Sequence, residues 1–195
     1  MRLKTIPLYA VLAFAACTSP NQSSNMTEDY TQYVNPFIGT DFTGNTYPGA
    51  QVPFGMVQLS PDNGLPGWDR ISGYFYPDST IAGFSHTHLS GTGAGDLYDV
   101  SFMPVTLPYK EAEAPLGIHS KFSHANESAY AGYYQVKLDD YNINVELTAT
   151  ERCGIQRYTF PKAEAAIFLN LSKAMNWDAT QDSHIEAVDS VTIRG

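Results

Sequence analysis

The chain is poor in cysteine, in basic side chains and in long apolar runs, and each shortage narrows what it can be. Cys17 and Cys153 are the only cysteines in 195 residues. If Cys17 is spent at the processed N-terminus, no intrachain disulfide is possible. Eleven Lys and Arg stand against twenty Asp and Glu, a net charge of −9. Such a surface repels phosphate backbones, which argues against a nucleic-acid partner and leaves neutral ligands open. The apolar stretch over 6–14 is too short to cross a bilayer as a helix. No segment carries a long 3.6-residue period and there are no internal repeats, so helical bundles and solenoids are excluded. Apolar residues are plentiful at 43%, with 13 Tyr, 10 Phe and 2 Trp. That composition at this length supports one globular domain with a sizeable core.

The N-terminus reads as a targeting segment. Arg2 and Lys4 precede the apolar run, which ends in Phe14-Ala15-Ala16-Cys17. Small residues before a cysteine match a bacterial lipoprotein box, with residues 1–16 as signal peptide and Cys17 as the lipidated first residue of the mature chain. The alternative is an ordinary secretory signal cut near Ala16. Residues 17–32 are polar and without period, a flexible tether of roughly 20 Å mean reach between lipid and domain. This predicts a protein of the periplasm, outer membrane or cell surface, held to the membrane by lipid alone.

From residue 33 to 195, strand signals recur at sandwich spacing. Strands are predicted over 56–59, 73–76, 81–88, 100–105, 121–124, 156–160, 166–171, 185–188 and 191–194, with 60–64 as a turn. The clearest hairpin joins 134–138 to 143–147, and 142–149 alternates polar with apolar, giving one wet and one dry face. The prediction is an all-β, two-sheet antiparallel β-sandwich. A stop directly after the strand-like 191–194 leaves backbone groups to be paired, so the sandwich is expected to be truncated at its C-terminal end.

Candidate chemistry is sparse. His86-Thr87-His88, read as strand, puts two imidazoles on one face. With Asp96, Asp99, His119 and His124 these residues are the parts of a cupin-like metal enzyme, although their spacing fits no strong zinc signature. The competing reading braces a glycine loop with hydrogen-bonded histidines. Ser90-Gly91-Thr92-Gly93-Ala94-Gly95-Asp96 lacks the Lys-Ser/Thr and the helix of a phosphate loop, so its glycines serve backbone geometry. Gly67-Trp68-Asp69-Arg70 lies between turn residues. A loop indole offers its face to the C–H side of a sugar, with Asp69 and Arg70 beside it for hydroxyls. Alternatively Trp68 packs on its own sandwich and Asp69 pairs with Arg70. Trp177-Asp178 has a similar, weaker look. Glu111, Glu113, Glu127, Asp139 and Asp140 receive no catalytic role, and Cys153 reads as a small buried hydrophobe.

Four blocks carry a family likeness: VNPFIGT, TYPGAQVPFGMVQLSPD, GFSHTHLSGTGAGD and YYQVKLDDYNINVELTAT. Together they resemble the N-terminal, galactose-mutarotase-like domain of glycoside hydrolase family 92, over roughly residues 33–195. Ala131-Gly132 departs from the family's Pro-Gly, which alters only turn rigidity. The resemblance implies the N-terminal part of a calcium-dependent, inverting exo-α-mannosidase, α-1,2-directed, acting on mannose-containing glycans. It implies that the acid, the base and most Ca2+ ligands lie on a C-terminal helical domain, the sandwich's own partner. This chain alone is then expected to be inactive, with no catalytic and no metal residues of its own. Trp68, Asp69, Arg70, His86 and His88 are its expected substrate-binding residues. A non-catalytic carbohydrate-binding module is the alternative.

Overall fold

The computed structural model describes residues 28–113, 116–171 and 180–195. The leader, Cys17, most of the tether and Trp177-Asp178 fall outside the described residues. Among those described, helical backbone is confined to three 3-10 turns, η1 (Tyr30–Tyr33), η2 (Trp68–Arg70) and η3 (His124–Asn126). Everything else that is regular is antiparallel strand.

Two sheets form the body. The first has the order β1-β2-β4-β5-β11, with β1 at Ala50–Gln51, β2 at Gln58–Asp62, β4 at Gly83–Ser85, β5 at Ser101–Thr106 and β11 at Ala165–Asn170. The second has the order β10-β9-β8-β7, with β7 at Glu127–Tyr130, β8 at Tyr133–Leu138, β9 at Ile143–Ala149 and β10 at Gly154–Thr159. Two short pairs stand beside them: β3 (Thr80–Ile81) with β6 (Ser120–Lys121), and β12 (Glu186–Ala187) with β13 (Ile193–Arg194).

The two-residue side-chain period dictates how the sheets meet. In β9, Ile143, Val145 and Leu147 point inward and are buried, while Asn144, Glu146 and Thr148 face out. In β8, Tyr134, Val136 and Leu138 do the same. These residues form one cluster with Ala50, Leu59, Phe84, Met103 and Val105 of the first sheet. Burying a side chain of this size contributes about 1.5–3 kcal/mol, so this shared layer fixes the register of both sheets.

Strands β2 and β4 differ from the second sheet, because both of their faces are closed. Leu59, Ser60, Pro61, Asp62, Gly83, Phe84 and Ser85 are all buried. Long loops cover the face turned away from the second sheet. One buried carboxylate, Asp62, therefore sits in a central strand, where it requires partners.

The all-β, two-sheet expectation matches this architecture, and the predicted hairpin is β8 with β9. Several local expectations are corrected. The stretch 60–64 was expected as a turn, yet Ser60, Pro61 and Asp62 pair in register with Ser85, Phe84 and Gly83. Residues 73–76 form no ladder, because the Phe75 N–H donates to the Asn63 side chain and the Tyr76 N–H to the Thr40 carbonyl. The predicted 81–88 strand is broken in two and ends at Ser85. Strand β7 went unrecognised, although the two-residue Ala131-Gly132 turn that follows it, with Gly132 at φ 79°, joins it directly to β8. Cys153 is exposed rather than buried.

Close approach of β1 to β2 requires a glycine at position 49. A Cβ there would stand 2.2 Å from the Leu59 carbonyl oxygen and 2.3 Å from the Ser60 Cβ. Neither atom belongs to a flexible side-chain tip. Gly49→Ala is expected to cost about 1–3 kcal/mol of stability, as overpacking does. Thermal melting checks this, and an unchanged midpoint would show that β1 can leave the sheet without penalty.

Candidate functional site

The long loops over the first sheet tie one another down through the backbone. The Tyr76 N–H donates to the Thr40 carbonyl at 2.8 Å, the Gly91 N–H to Asn45 at 2.7 Å and the Asp96 N–H to Ile71 at 2.8 Å. The Ser72 hydroxyl adds a bond to the Thr46 carbonyl at 3.0 Å. Segments 36–46, 63–79 and 86–99 are thus one connected surface.

Trp68 opens η2 on this surface and is 54% exposed. It is a loop residue with an open indole, not a core residue. Asp69 beside it is exposed. Arg70 turns away from Asp69 and clamps the nearly buried Asp78 through Nε (2.6 Å) and a second guanidinium nitrogen (2.5 Å). The expected alternative, a surface pair of Asp69 with Arg70, is not what forms. Arg70 also lies over the Phe75 ring, 4.6 Å from its centroid. A bidentate, stacked arginine is held in one geometry. It therefore fixes the base of the turn that presents Trp68 and Asp69.

Two further aromatics stand out on other turns. Phe42 and Phe54 have φ of 57° and 61°, a region bulky residues avoid, and both project into solvent. Strain of this kind costs about 1–3 kcal/mol per residue and concentrates at ligand clamps and contact surfaces. Sequence reading missed both, although the Pro53-Phe54-Gly55 turn signal was present.

His86 and His88 were expected to share one strand face. They do not, because the strand stops at Ser85 and the chain turns. His86 packs against Phe102 and bonds through Nδ1 to the Val100 carbonyl at 2.9 Å. The His88 side chain is fully enclosed. Its Nδ1 bonds to the Gln58 carbonyl at 2.9 Å and its Nε2 to Asp62 Oδ1 at 2.8 Å. Asp62 also accepts from the Ser85 and Ser101 hydroxyls. Tyr47 lies against the imidazole with centroids 5.1 Å apart. A Cβ on Gly73, at φ 86°, would stand 3.0 Å from the ring, so glycine is required there too. His88 has no open face toward a ligand and acts on the surface only through the loops it anchors.

Both nitrogens of His88 meet acceptors, which is the pattern of an imidazolium. Burial pulls its pKa down, but the Asp96 and Asp62 carboxylates and the Gln58 carbonyl outweigh burial and push it up to about 9. Asp96 is raised to about 6 by burial, partly offset by the His88 charge. Its Oδ2 stands 3.9 Å from His88 Nε2 and has no hydrogen-bond partner.

The remaining groups of the metal-enzyme reading disperse. His119 bonds to the Gly117 carbonyl, Asp99 accepts from Thr87, and His124 bonds to Glu127 and to the Tyr76 carbonyl. Among the described residues, no group of three or more His, Cys, Asp or Glu is arranged to hold a metal. Glu127, expected among the turn and edge acids, instead has an enclosed side chain and accepts from Tyr74, Tyr134 and His124. It locks the loop 73–78 onto the second sheet.

These features define the class: a two-layer antiparallel sandwich whose interlocked loops expose aromatic and polar groups. The chain belongs to glycosyl hydrolase family 92, matching its N-terminal domain over residues 33–195. It is similar to a family GH92 α-mannosidase of Bacteroides thetaiotaomicron, solved in complex with mannoimidazole. That pair shares 42% identity at a TM-score of 0.78, covering 84% of this chain and 22% of the other. A family GH92 inverting mannosidase of the same organism is 32% identical at a TM-score of 0.60, covering 74% of this chain and 20% of that one. An uncharacterised secreted glycosidase of Arthroderma benhamiae is 31% identical over 143 residues, 70% of this chain and 18% of the relative. The chain thus spans about a fifth of the length of these proteins.

The His88 cluster makes stability depend on pH with a definite sign. A histidine whose folded pKa lies near 9 stabilises fully below its ordinary 6.5, and that contribution disappears as pH rises through 9. Asp96, raised from 3.8 to about 6, slopes the same way at lower pH, because the folded state holds its proton the more tightly. The melting temperature is expected to fall between pH 6.5 and 9.5. His88→Gln is expected to lower it at pH 6.5 and to flatten the slope above. An unchanged slope in the variant would show that His88 is neutral in the fold.

Proposed function

We propose that the full-length protein is a secreted exo-α-mannosidase that removes terminal α-1,2-linked mannose by inversion, and that this domain contributes one wall of the glycan pocket. Family membership supports the reaction class. The observation that carries the domain's role is the half-open Trp68, held on a turn that the Arg70–Asp78 clamp makes rigid. An indole face covers the apolar side of a pyranose and sheds water from it. Asp69, free of Arg70, is the polar group beside it for a sugar hydroxyl. The exposed, strained Phe42, on the loop tied to this one through Thr40 and Tyr76, suits the seat of a second domain.

Inversion needs two carboxyls about 6.5–9.5 Å apart with a water between them. The proposal assigns both to a following helical domain, since the buried acids among the described residues are already engaged with Arg70, His88, His124 and tyrosines. Calcium takes six to eight oxygen ligands. Among the described residues no three or more His, Cys, Asp or Glu side chains gather to hold a metal, and the proposal assigns the calcium ligands to the helical domain as well. The work of the present residues is to orient the sugar and exclude water.

Trp68→Ala in the full-length enzyme is expected to lower kcat/KM on α-mannosides about ten- to two-hundred-fold, on the order of 1–3 kcal/mol. Because the indole is half exposed, the melting temperature is expected to stay nearly constant. Kinetics and melting measured on the same variant separate the two outcomes. A large melting loss with normal kinetics would return Trp68 to a packing role.

Export through a lipidated Cys17, to the periplasm or outer membrane of a bacterium, completes the proposal. It is supported by the leader pattern ending in Phe14-Ala15-Ala16-Cys17 and by the secreted relative. Among the described residues no helix is long and apolar enough to cross a membrane. Cys17→Ala is expected to move the protein from the membrane fraction to the soluble fraction. An unchanged distribution would remove the anchor from the proposal.

A further inference from the structure

The outer face of the β7–β10 sheet lies opposite the core and has no role in the pocket described above. The pairing registers place Ser128, Gln135, Glu146 and Arg157 in one row across all four strands. The next row holds Lys137, Asn144 and Thr159, and the row on the other side holds Tyr130, Tyr133, Thr148 and Ile155. All point the same way, by the two-residue period. The face encloses a depression of about 550 Å³, floored by Ser128, Gln135, Lys137, Asn144, Glu146 and Thr159. That volume lies within the range of ligand sites.

Three properties of the depression select a ligand. The first is the polar inventory. Amides and hydroxyls each donate and accept. Among the described residues, Ser128, Lys137, Asn144 and Thr159 have side chains with no hydrogen-bond partner, and Gln135 uses only its carbonyl oxygen, toward Tyr133. Unspent groups that both give and take bonds match a ligand made of hydroxyls. The second is charge. Arg157 and Tyr133 both bond to Glu146, which leaves Lys137 as the unpaired charge of the floor. A nearly balanced face on a chain of net charge −9 favours a neutral ligand over an anionic polymer. The third is the neighbouring row. Tyr130 and Tyr133 stack at 4.6 Å and 15°, Tyr130 is exposed, and the Tyr133 hydroxyl reaches Glu146 of the floor. Such a platform suits the C–H side of a pyranose.

We propose that this face is a second glycan site, which holds an internal stretch of the mannose polymer whose free end the enzyme trims. The inference rests on the family's action on glycans, but not on Trp68 or the loops over the first sheet. A two-site arrangement raises the local concentration of chain ends at the pocket. It also divides labour on one sandwich, with the loops shaping the terminal sugar and the sheet face retaining the polymer.

The test is affinity electrophoresis of the full-length protein in native gels containing yeast α-mannan. A Lys137→Ala/Asn144→Ala double variant is expected to lose at least fivefold of the retardation seen for the unaltered protein. Both residues are on an outer face, so melting and the hydrolysis of a small aryl α-mannoside are expected to stay as before. If the double variant melts lower, Asn144→Ala alone provides the comparison. Equal retardation of folded variant and unaltered protein would overturn the proposal. Equal retardation by hydroxyethyl cellulose would overturn its assignment to mannose polymers. Absence of aryl mannoside hydrolysis by the unaltered protein would count against the proposed function, while mannan retardation would still report on this face.

Discussion

A buried ion pair between Asp62 and His88 is the constraint on which the loops over the first sheet depend. Asp62 sits in a strand closed on both faces, where an unpartnered carboxylate would be severely penalised. His88 satisfies it, and the two serines complete its shell. Because His88 lies beyond the end of β4, its return into the core folds the segment 86–99 back over the first sheet. That segment then holds the Asn45 and Ile71 backbones through Gly91 and Asp96. Removing one partner of such a pair is costly, since the other stays buried and charged. The surface of the loops thus inherits its shape from a charge no ligand reaches.

A second buried carboxylate works in the same way. Glu127 of β7 gathers Tyr74, Tyr134 and His124, and Tyr76 stacks on His124 with ring centroids 4.0 Å apart. One carboxylate therefore binds a loop to the sheet beside it. Both anchors are buried polar groups against the apolar cluster, which alone would fix the sheets but leave the loops to choose among conformations. The sugar contact proposed for Trp68 requires such anchoring, because a contact of that kind is held within a fraction of an ångström.

The two surfaces assigned to glycans differ in physical character. On the loops, the aromatics are exposed and Phe42 is held at a strained φ. On the outer sheet face, ordinary strand geometry lines up small polar groups without strain. The first suits discrimination at one sugar, and the second suits loose retention of many.

What the sequence determined by itself was whatever follows from local period, turn chemistry and long motifs. The alternation over 142–149 specified β9 and its partner, because a two-residue period has one dry face. Pro66 and Gly73 marked the Trp68 loop, and the four motif blocks carried the family. Only the tertiary structure decided where charge goes. Asp62 follows a proline and precedes Asn63-Gly64, so its neighbours signal a turn, yet β4 pairs with it and draws it inside. The His86–His88 spacing predicted a shared face, but the need to neutralise Asp62 turned one ring into the core and left the other against Phe102. Glu127 resembled other surface acids until tyrosines 53 residues upstream and 7 downstream closed on it. Burial of a polar group is set by partners far away in the chain, and no local pattern encodes that distance.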